Sequence, residues 1–486
     1  MLQKILKLKF IILLCILIGS FFIIDNLVIT NEVSGQETSY TYLPVIQNNY
    51  DGSLGTPIFG VQMYGSTSSP SVNHPSLLDS KTSWIRVPIT WESVEPTEAN
   101  PPIYQWDSVN NKFAASRSDM GQFNLIGTFH GEFPNWAKEI YTSPPGVVIS
   151  PDKRDDFAEF VAAVVERYDG DGVADAPGSP VILHWEIFNE PDEALVNPKW
   201  GNYGAEYAHL LSLVYPAVKA ANPEAQILFG GIAYDWFDDQ GGKFNREFLS
   251  DVLAAGGGAY FDVMNYHSYP AFSENWTTNG GSGLLEKGQA IRATLASYGY
   301  AKPLVITEAG WHDNSPVEAP SSPEVQARYV VQLLTQSYAA KLDTMIWWLL
   351  YDVGGNYPYN TGLVTSQGSE KISFTTYQEV VNELSTAHFV RKLPTSETHH
   401  ANMEVYEFHD KTKNLTIYVA WLNPVNTSSL VSLRLPGTTA LVKESIPNQV
   451  GGNFATYSVQ DGSDGFIDGQ FIISVGGRPL YIEVQQ

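Results

Sequence analysis

Two glutamates, Glu190 in the stretch LHWEIFNEPD and Glu308 in LVITEAGW, each follow a short apolar run and precede a turn-prone segment. Runs of this kind read as buried strands, so both carboxyl groups are expected at strand ends that open on a common space. One protonated carboxyl beside one carboxylate is the pair that cleavage of a sugar acetal needs. The first supplies a proton to the departing alkoxide, and the second stands beneath the oxocarbenium-like carbon. A separation of about 5–5.5 Å lets the anion attack and retains configuration, whereas about 6.5–9.5 Å admits a water and inverts it. A lone Glu is more often just an exposed charge; what singles out these two is their matched setting.

The elements that would hold them follow from the alternation of strand-length apolar runs with amphipathic helices. Eight runs are expected as strands: Ile58–Met63, Trp84–Ile89, Asn124–Thr128, Ile182–Phe188, Gln226–Gly230, Asp262–Tyr266, Pro303–Thr307 and Thr344–Leu350. Eight βα units close a parallel barrel, so residues 55–387 are expected to form an α/β fold of the (β/α)8 type. Ser150-Pro151 opens one helix, with Phe157, Phe160, Val161, Val164, Val165 and Tyr168 on one face; Ser322-Pro323 opens another. Asn222-Pro223 stops a third. From 388 to 486 the pattern turns to helix-free alternation, as in Leu415–Trp421, Leu430–Leu435, Phe471–Val475 and Leu480–Val484, which predicts a small β-sandwich packed on the barrel.

WEIFNEPD at 185–192 and ITEAGW at 306–311 resemble the fourth- and seventh-strand motifs of glycoside hydrolase clan A, the retaining (β/α)8 glycosidases. The resemblance implies that Glu190 is the acid/base, Glu308 the nucleophile and Asn189 a contact to the sugar 2-hydroxyl. WIRVP at 84–88 is similar to the clan's second strand, whose Arg braces the nucleophile; Arg86 would then keep Glu308 ionised. Trp91, Glu95-Pro96 and Tyr104-x-Trp106 look like a structural stretch of the same clan. His130 after the third strand, and His267 with Tyr269 after the sixth, fall where the clan keeps groups that position nucleophile and sugar. Trp347-Trp348 resembles its stacking platform, with Trp348 nearer the mouth. Among the clan's families the cellulase-type and xylosidase/iduronidase-type ones are most similar. The function implied is retaining hydrolysis of a β-linked oligo- or polysaccharide without a cofactor. The alternative is a non-catalytic carbohydrate-binding or cell-surface protein on a glycosidase-like barrel. The long segments Tyr234–Asn245, Ala271–Gly283 and Asp352–Gly362 are expected to shape the subsites.

Asp169, Asp171 and Asp175 stand at positions one, three and seven of a glycine-rich loop, as in the first half of a calcium loop, but Pro180 occupies the place of the closing bidentate Glu. An Asp/Gly-rich turn is the favoured reading; a structural calcium is the other, and no metal is expected in the chemistry. The net charge of −24 argues against nucleic acid or an anionic membrane surface as partner. Lys4, Lys7 and Lys9 precede the apolar run Phe10–Ile24, so residues 1–35 read as a signal peptide or an N-terminal anchor and 36–54 as a linker. A secreted or cell-surface protein follows. Cys15 is the sole cysteine, so there is no disulfide framework.

Overall fold

Strand-length apolar runs, buried on both faces, build one parallel sheet of eight strands: β1 (Phe59–Gln62), β2 (Trp84–Ile89), β3 (Asn124–Phe129), β4 (His184–Ile187), β5 (Gln226–Leu228), β6 (Met264–Ser268), β7 (Leu304–Ala309) and β8 (Leu342–Trp347). The computed structural model describes residues 58–64, 75–114, 123–143, 146–178, 180–314, 320–354 and 360–485. The segments 1–35 and 36–54, Cys15 and the middle of the Asp352–Gly362 loop therefore lie outside the described residues. The strand order β5-β4-β3-β2-β1-β8-β7-β6 bends round until its edges meet. At that seam the pairing is sparse, with bridges Leu228–Val263 and Ile232–Tyr266 and the bond from His267 N to Ile232 O at 2.8 Å. The expected (β/α)8 barrel is thus the observed one.

Inward positions stack in layers. The floor is apolar: Trp84, Ile126, Leu228, Val263, Val305 and Ile346 pack together inside the barrel. Gly60 belongs to this layer, because a Cβ there would stand 2.1 Å from Ile346 Cδ1 and 2.9 Å from Trp84 Cβ. Two residues further along the strands the inward side chains turn polar: Gln62, Arg86, Thr128, Glu186, Asn265 and Thr307, all buried. Outward residues such as Trp185, Ile187, Met264 and Ile306 pack under the helices. These include Arg154–Arg167, which buries Phe157, Phe160, Val161, Val164 and Val165, and Pro323–Ala339, whose cap residue Ser322 accepts from Val325 N at 3.2 Å. Trp91 Nε1 donates to Glu95 Oε2 at 2.9 Å, giving the second-strand stretch its structural part.

After the helix Ile372–Leu384 come eight antiparallel strands: β9 (His388–Lys392), β10 (Met403–Asp410), β11 (Leu415–Leu422), β12 (Val431–Pro436), β13 (Thr439–Glu444), β14 (Thr456–Gln460), β15 (Gln470–Val475) and β16 (Leu480–Gln485). Six form one sheet in the order β14-β13-β16-β11-β10-β9, and β12 pairs β15 as a ribbon. The sandwich is therefore lopsided. One face of the large sheet (Val405, Tyr418, Ala420, Ile482) packs on the ribbon (Leu433, Leu435, Phe471, Ile473). The alternate residues Tyr406, Phe408, Ile417, Val419, Trp421 and Tyr481 join the main core instead, with Phe408 meeting Tyr338 edge-on at 5.4 Å. Lys443 pairs with Glu379 and Glu383 of the preceding helix. Among the described residues no helix is long and apolar enough to cross a membrane.

Candidate active site

The polar layer converges on Arg86. Its Nε meets Glu186 Oε2 at 2.7 Å and Thr128 Oγ1 at 2.9 Å; Nη2 donates to Glu186 Oε1 at 2.9 Å and Asn189 Oδ1 at 2.8 Å; Nη1 donates to Gln62 Oε1 and Glu308 Oε1, both at 2.7 Å. Every nitrogen of the fork has an acceptor, so the guanidinium has one orientation. Burial alone would push Arg86 down, and the charges of Glu186 and Glu308 raise it above its ordinary value. The expected brace on Glu308 is in place.

Glu308 reaches the mouth because β7 is irregular where it ends. The pairing of β7 with both neighbours shifts register, between Ile306 and Ala309 on the β8 side and opposite Tyr266/His267 on the β6 side. Thr307 points into the polar layer, where its hydroxyl donates to Glu186 Oε1 at 3.1 Å, and Glu308 next to it meets Arg86 as well. A regular strand would send the two to opposite faces. Tyr269 OH donates to Glu308 Oε2 at 3.0 Å. Burial, then the charges of Glu308 and Glu190, raise Tyr269 well above the ordinary tyrosine value, so it stays a donor.

Glu190 arrives by a different local device. Phe188 and Glu190 both adopt left-handed backbone, φ 68° and 48°, which non-glycine residues rarely visit. Phe188 stays outside, stacked on Phe157 at 5.3 Å, while Asn189 reaches Arg86 and Glu190 N donates to Gly231 O at 3.0 Å. Strain of this kind persists where the surroundings over-determine it. Here the over-determination includes Lys199, whose Nζ donates to Asn189 O at 2.7 Å.

His267 links the two acids. Its Nδ1 lies 3.1 Å from Glu190 Oε1 and 3.8 Å from Glu308 Oε2, and its Nε2 lies 3.2 Å from Thr307 Oγ1. The ring fits because residue 231 is glycine: a Cβ there would sit 2.3 Å from His267 Nε2. One oxygen of each glutamate and one ring nitrogen of His267 all lie within 4.8 Å of one another. For Glu190, burial pushes the carboxyl up, but the hydrogen bond and charge of His267, with Lys199 and Lys243, pull it down further, so the group lies below its ordinary range. An acid with a raised value, which the assigned role calls for, is therefore not what the unliganded site presents; the His267 contact is the reason.

Of the remaining expected residues, Trp348 joins the group. It stands edge-on to Tyr269 at 6.3 Å, and its Nε1 lies 3.4 Å from Tyr64 OH. Trp347 is turned outward into the main core, with Nε1 bonded to Thr361 O at 2.9 Å. His130 is not brought to the pair: its Nδ1 is taken by Glu132 Oε2 at 2.8 Å in a partly exposed position. Asp169, Asp171 and Asp175 do come together, one oxygen each within 4.8 Å, and accept the loop's own N–H groups at Gly170, Asp171, Gly172 and Val173. That is the bonding of an Asp/Gly turn.

Sequence reading missed Glu186, Thr128, Gln62, Thr307, Asp192 and Lys287. The first four were visible in principle as polar residues at inward, period-two positions of otherwise apolar runs. Asp192 accepts from Ala233 N at 3.1 Å and Tyr234 N at 2.9 Å. Lys287, on the helix Leu284–Ser297, donates to His267 O at 2.8 Å and Ala233 O at 2.7 Å and pairs with Asp235 at 2.8 Å. Asp192 closes the WEIFNEPD stretch, and nothing in its local sequence marks Lys287.

No family model matches the chain, and no curated protein sequence does. Solved structures do match. A family 39 glycoside hydrolase from Bacteroides cellulosilyticus WH2 superposes with a TM-score of 0.64 at 19% identity, over 88% of this chain and 81% of that one. A monomeric β-xylosidase from Caulobacter crescentus CB15 gives 0.56 at 15% identity, over 88% and 97%. The enzyme BuGH86, solved in complex with neoagarooctaose, gives 0.59 at 13% identity, over 88% and 74%. At these identities the likeness is one of fold: the chain has the barrel-plus-β-domain architecture of these glycoside hydrolases.

Proposed function

We propose that the protein is a glycoside hydrolase that cleaves a β-linked oligo- or polysaccharide by double displacement. The observation that carries this reading is the approach of Glu190 and Glu308 within 4.8 Å at the strand mouths, with Arg86 bonded to the second. An approach this close supports direct attack by one carboxylate over activation of a water between the two. Glu308 forms a bond to the anomeric carbon as the bond to the leaving oxygen breaks, and that oxygen takes a proton from Glu190. Glu190 Oε1 lies 3.1 Å from His267 Nδ1, so the ring stands beside the group that gives up this proton. In the second half Glu190 accepts a proton from water, and the hydroxyl displaces Glu308. Asn189 has given its Oδ1 to Arg86, which leaves its NH2 for a sugar hydroxyl. Trp348 offers a ring face to the apolar side of a pyranose. The fold's likeness to a β-xylosidase and to an enzyme seen with an oligosaccharide supports a carbohydrate substrate.

The test is hydrolysis of a panel of aryl β-glycosides and polysaccharides. Glu190→Ala is expected to lose about 10²–10⁴-fold in kcat, Glu308→Ala to fall to background, and azide to restore turnover of an activated glycoside in one of them. A folded wild type that binds sugars and cleaves none would overturn the reading.

A further inference from the structure

Glu308 is a carboxylate only part of the time in the cycle just described. Once its oxygen is bonded to the anomeric carbon it is a neutral ester, and a buried guanidinium whose sole counter-ion it was would be left uncompensated, which is strongly unfavourable. Arg86 is fully buried, at 1% exposure, so this cost is real. The structure supplies a second anion that takes no part in the bond changes. Glu186, 0% exposed, faces Arg86 with both oxygens, at 2.7 and 2.9 Å, on the side away from Glu308. Thr128 Oγ1 at 2.8 Å, Thr307 Oγ1 at 3.1 Å and Gly231 N at 3.1 Å also donate to it.

We propose that Glu186 is a permanent counter-ion which keeps Arg86 paired while the charge of Glu308 is consumed and restored, and so sets how readily Glu308 gives up its charge in the attack. Glu186 is a positioning residue: it reaches the reacting atoms only through Arg86. This rests on the double-displacement reading above. Burial pushes the Glu186 carboxyl up, and the adjoining Arg86 charge outweighs it, with help from the charge of His267 and the Thr128 hydrogen bond, so the group is held as the anion. The groups that face Glu308 itself are Arg86 from β2, His267 from β6, Tyr269 just after it, Glu190 across the mouth and Tyr64 after β1.

The experiment compares wild type with Glu186→Gln on an activated aryl glycoside, by burst kinetics and by the pH profile of kcat/KM. Without the second anion the whole of Arg86's attraction falls on Glu308. Glycosylation is expected to slow about 10-fold or more, deglycosylation to hold or quicken, the burst to vanish, and the acidic limb to move to lower pH. KM is expected to rise towards the substrate dissociation constant, because the glycosyl-enzyme no longer accumulates. Thr128→Val, which removes a hydroxyl but no charge from the same cluster, should leave the limb in place. Where Glu186→Gln does not fold, Gln62→Glu puts a third carboxylate on the same guanidinium and should move the limb to higher pH. Equal slowing of both half-reactions with an unmoved limb would mean a merely structural Glu186 and overturn the proposal. A wild type that cleaves no glycoside removes the functional reading, and the proposal with it; a working wild type beside an unaffected Glu186→Gln removes the proposal alone.

Discussion

At the scale of single residues the site is a set of charges whose hydrogen bonds are nearly all made within the barrel. Glu308 shows the economy of this: one oxygen is bonded by Arg86 and the other by Tyr269, at 2.7 and 3.0 Å. The phenol therefore holds the carboxylate in the attitude needed for attack without adding a charge. Tyr269→Phe removes one hydrogen bond to an ionised group, a contact of about 1.5–3 kcal/mol, and is expected to lower kcat/KM by about 10-fold or more while the fold melts as before. Unchanged kinetics would show that Arg86 alone orients the nucleophile. The motifs around Glu190 and Glu308 made these residues legible in the sequence. Their partners Arg86, His267 and Tyr269 were legible by the same resemblance; Glu186 was not, since it reads as one more polar residue in a strand until Arg86 is seen opposite it.

At the scale of elements, the strand runs could be read because a parallel strand buried on both faces is apolar at most positions. The disagreements cluster where the site is. Sequence reading ended the sixth and seventh runs at Tyr266 and Thr307, yet β6 continues to Ser268 and β7 to Ala309. The first added residue of each, His267 and Glu308, is polar and breaks the apolar pattern that marks a strand. The fourth run was expected to continue through Phe188, where the backbone turns left-handed. No glycine stands there to give warning. The loop after β4 also carries a titration into stability. Burial pushes Asp192 up to about 7, against the N–H bonds of Tyr234 and Ala233 and with the Glu190 charge adding to the rise. An unfolded Asp titrates near about 3.9. Because the folded value is the higher one, protonation favours the fold, so this stability is full below about pH 4 and is lost as pH rises towards about 7. Asp192→Asn should be less stable than wild type at pH 4 by about 1 kcal/mol, for the impaired bonding, with the gap narrowing towards neutrality in thermal melts. A gap that stays constant across pH would show that Asp192 is ionised throughout.

At the scale of the whole molecule, the barrel and the β-rich part share one core. Trp421 on β11 stacks on Tyr406 at 5.0 Å within the main cluster, while Tyr418 and Ala420 on the same strand face the ribbon. A strand that faces the barrel's core with one side and its own ribbon with the other couples the two. Trp421→Ala should cost about 3–5 kcal/mol and lower a single melting transition, with activity and secondary structure lost together; a separate early transition that leaves the barrel's melting untouched would show two independent units. The closure of the barrel has its own consequence. Phe59 of β1 pairs with Met345 of β8, so the first strand of the sheet waits for the last. The polar layer draws on β1, β2, β3, β4, β6 and β7, and Trp348 follows β8. Pairing between such distant parts of a chain is slow to form and comes late. During synthesis, which proceeds from the N-terminus, a nascent chain can own both glutamates and still have no site, because the ring that brings them together has not yet left the ribosome.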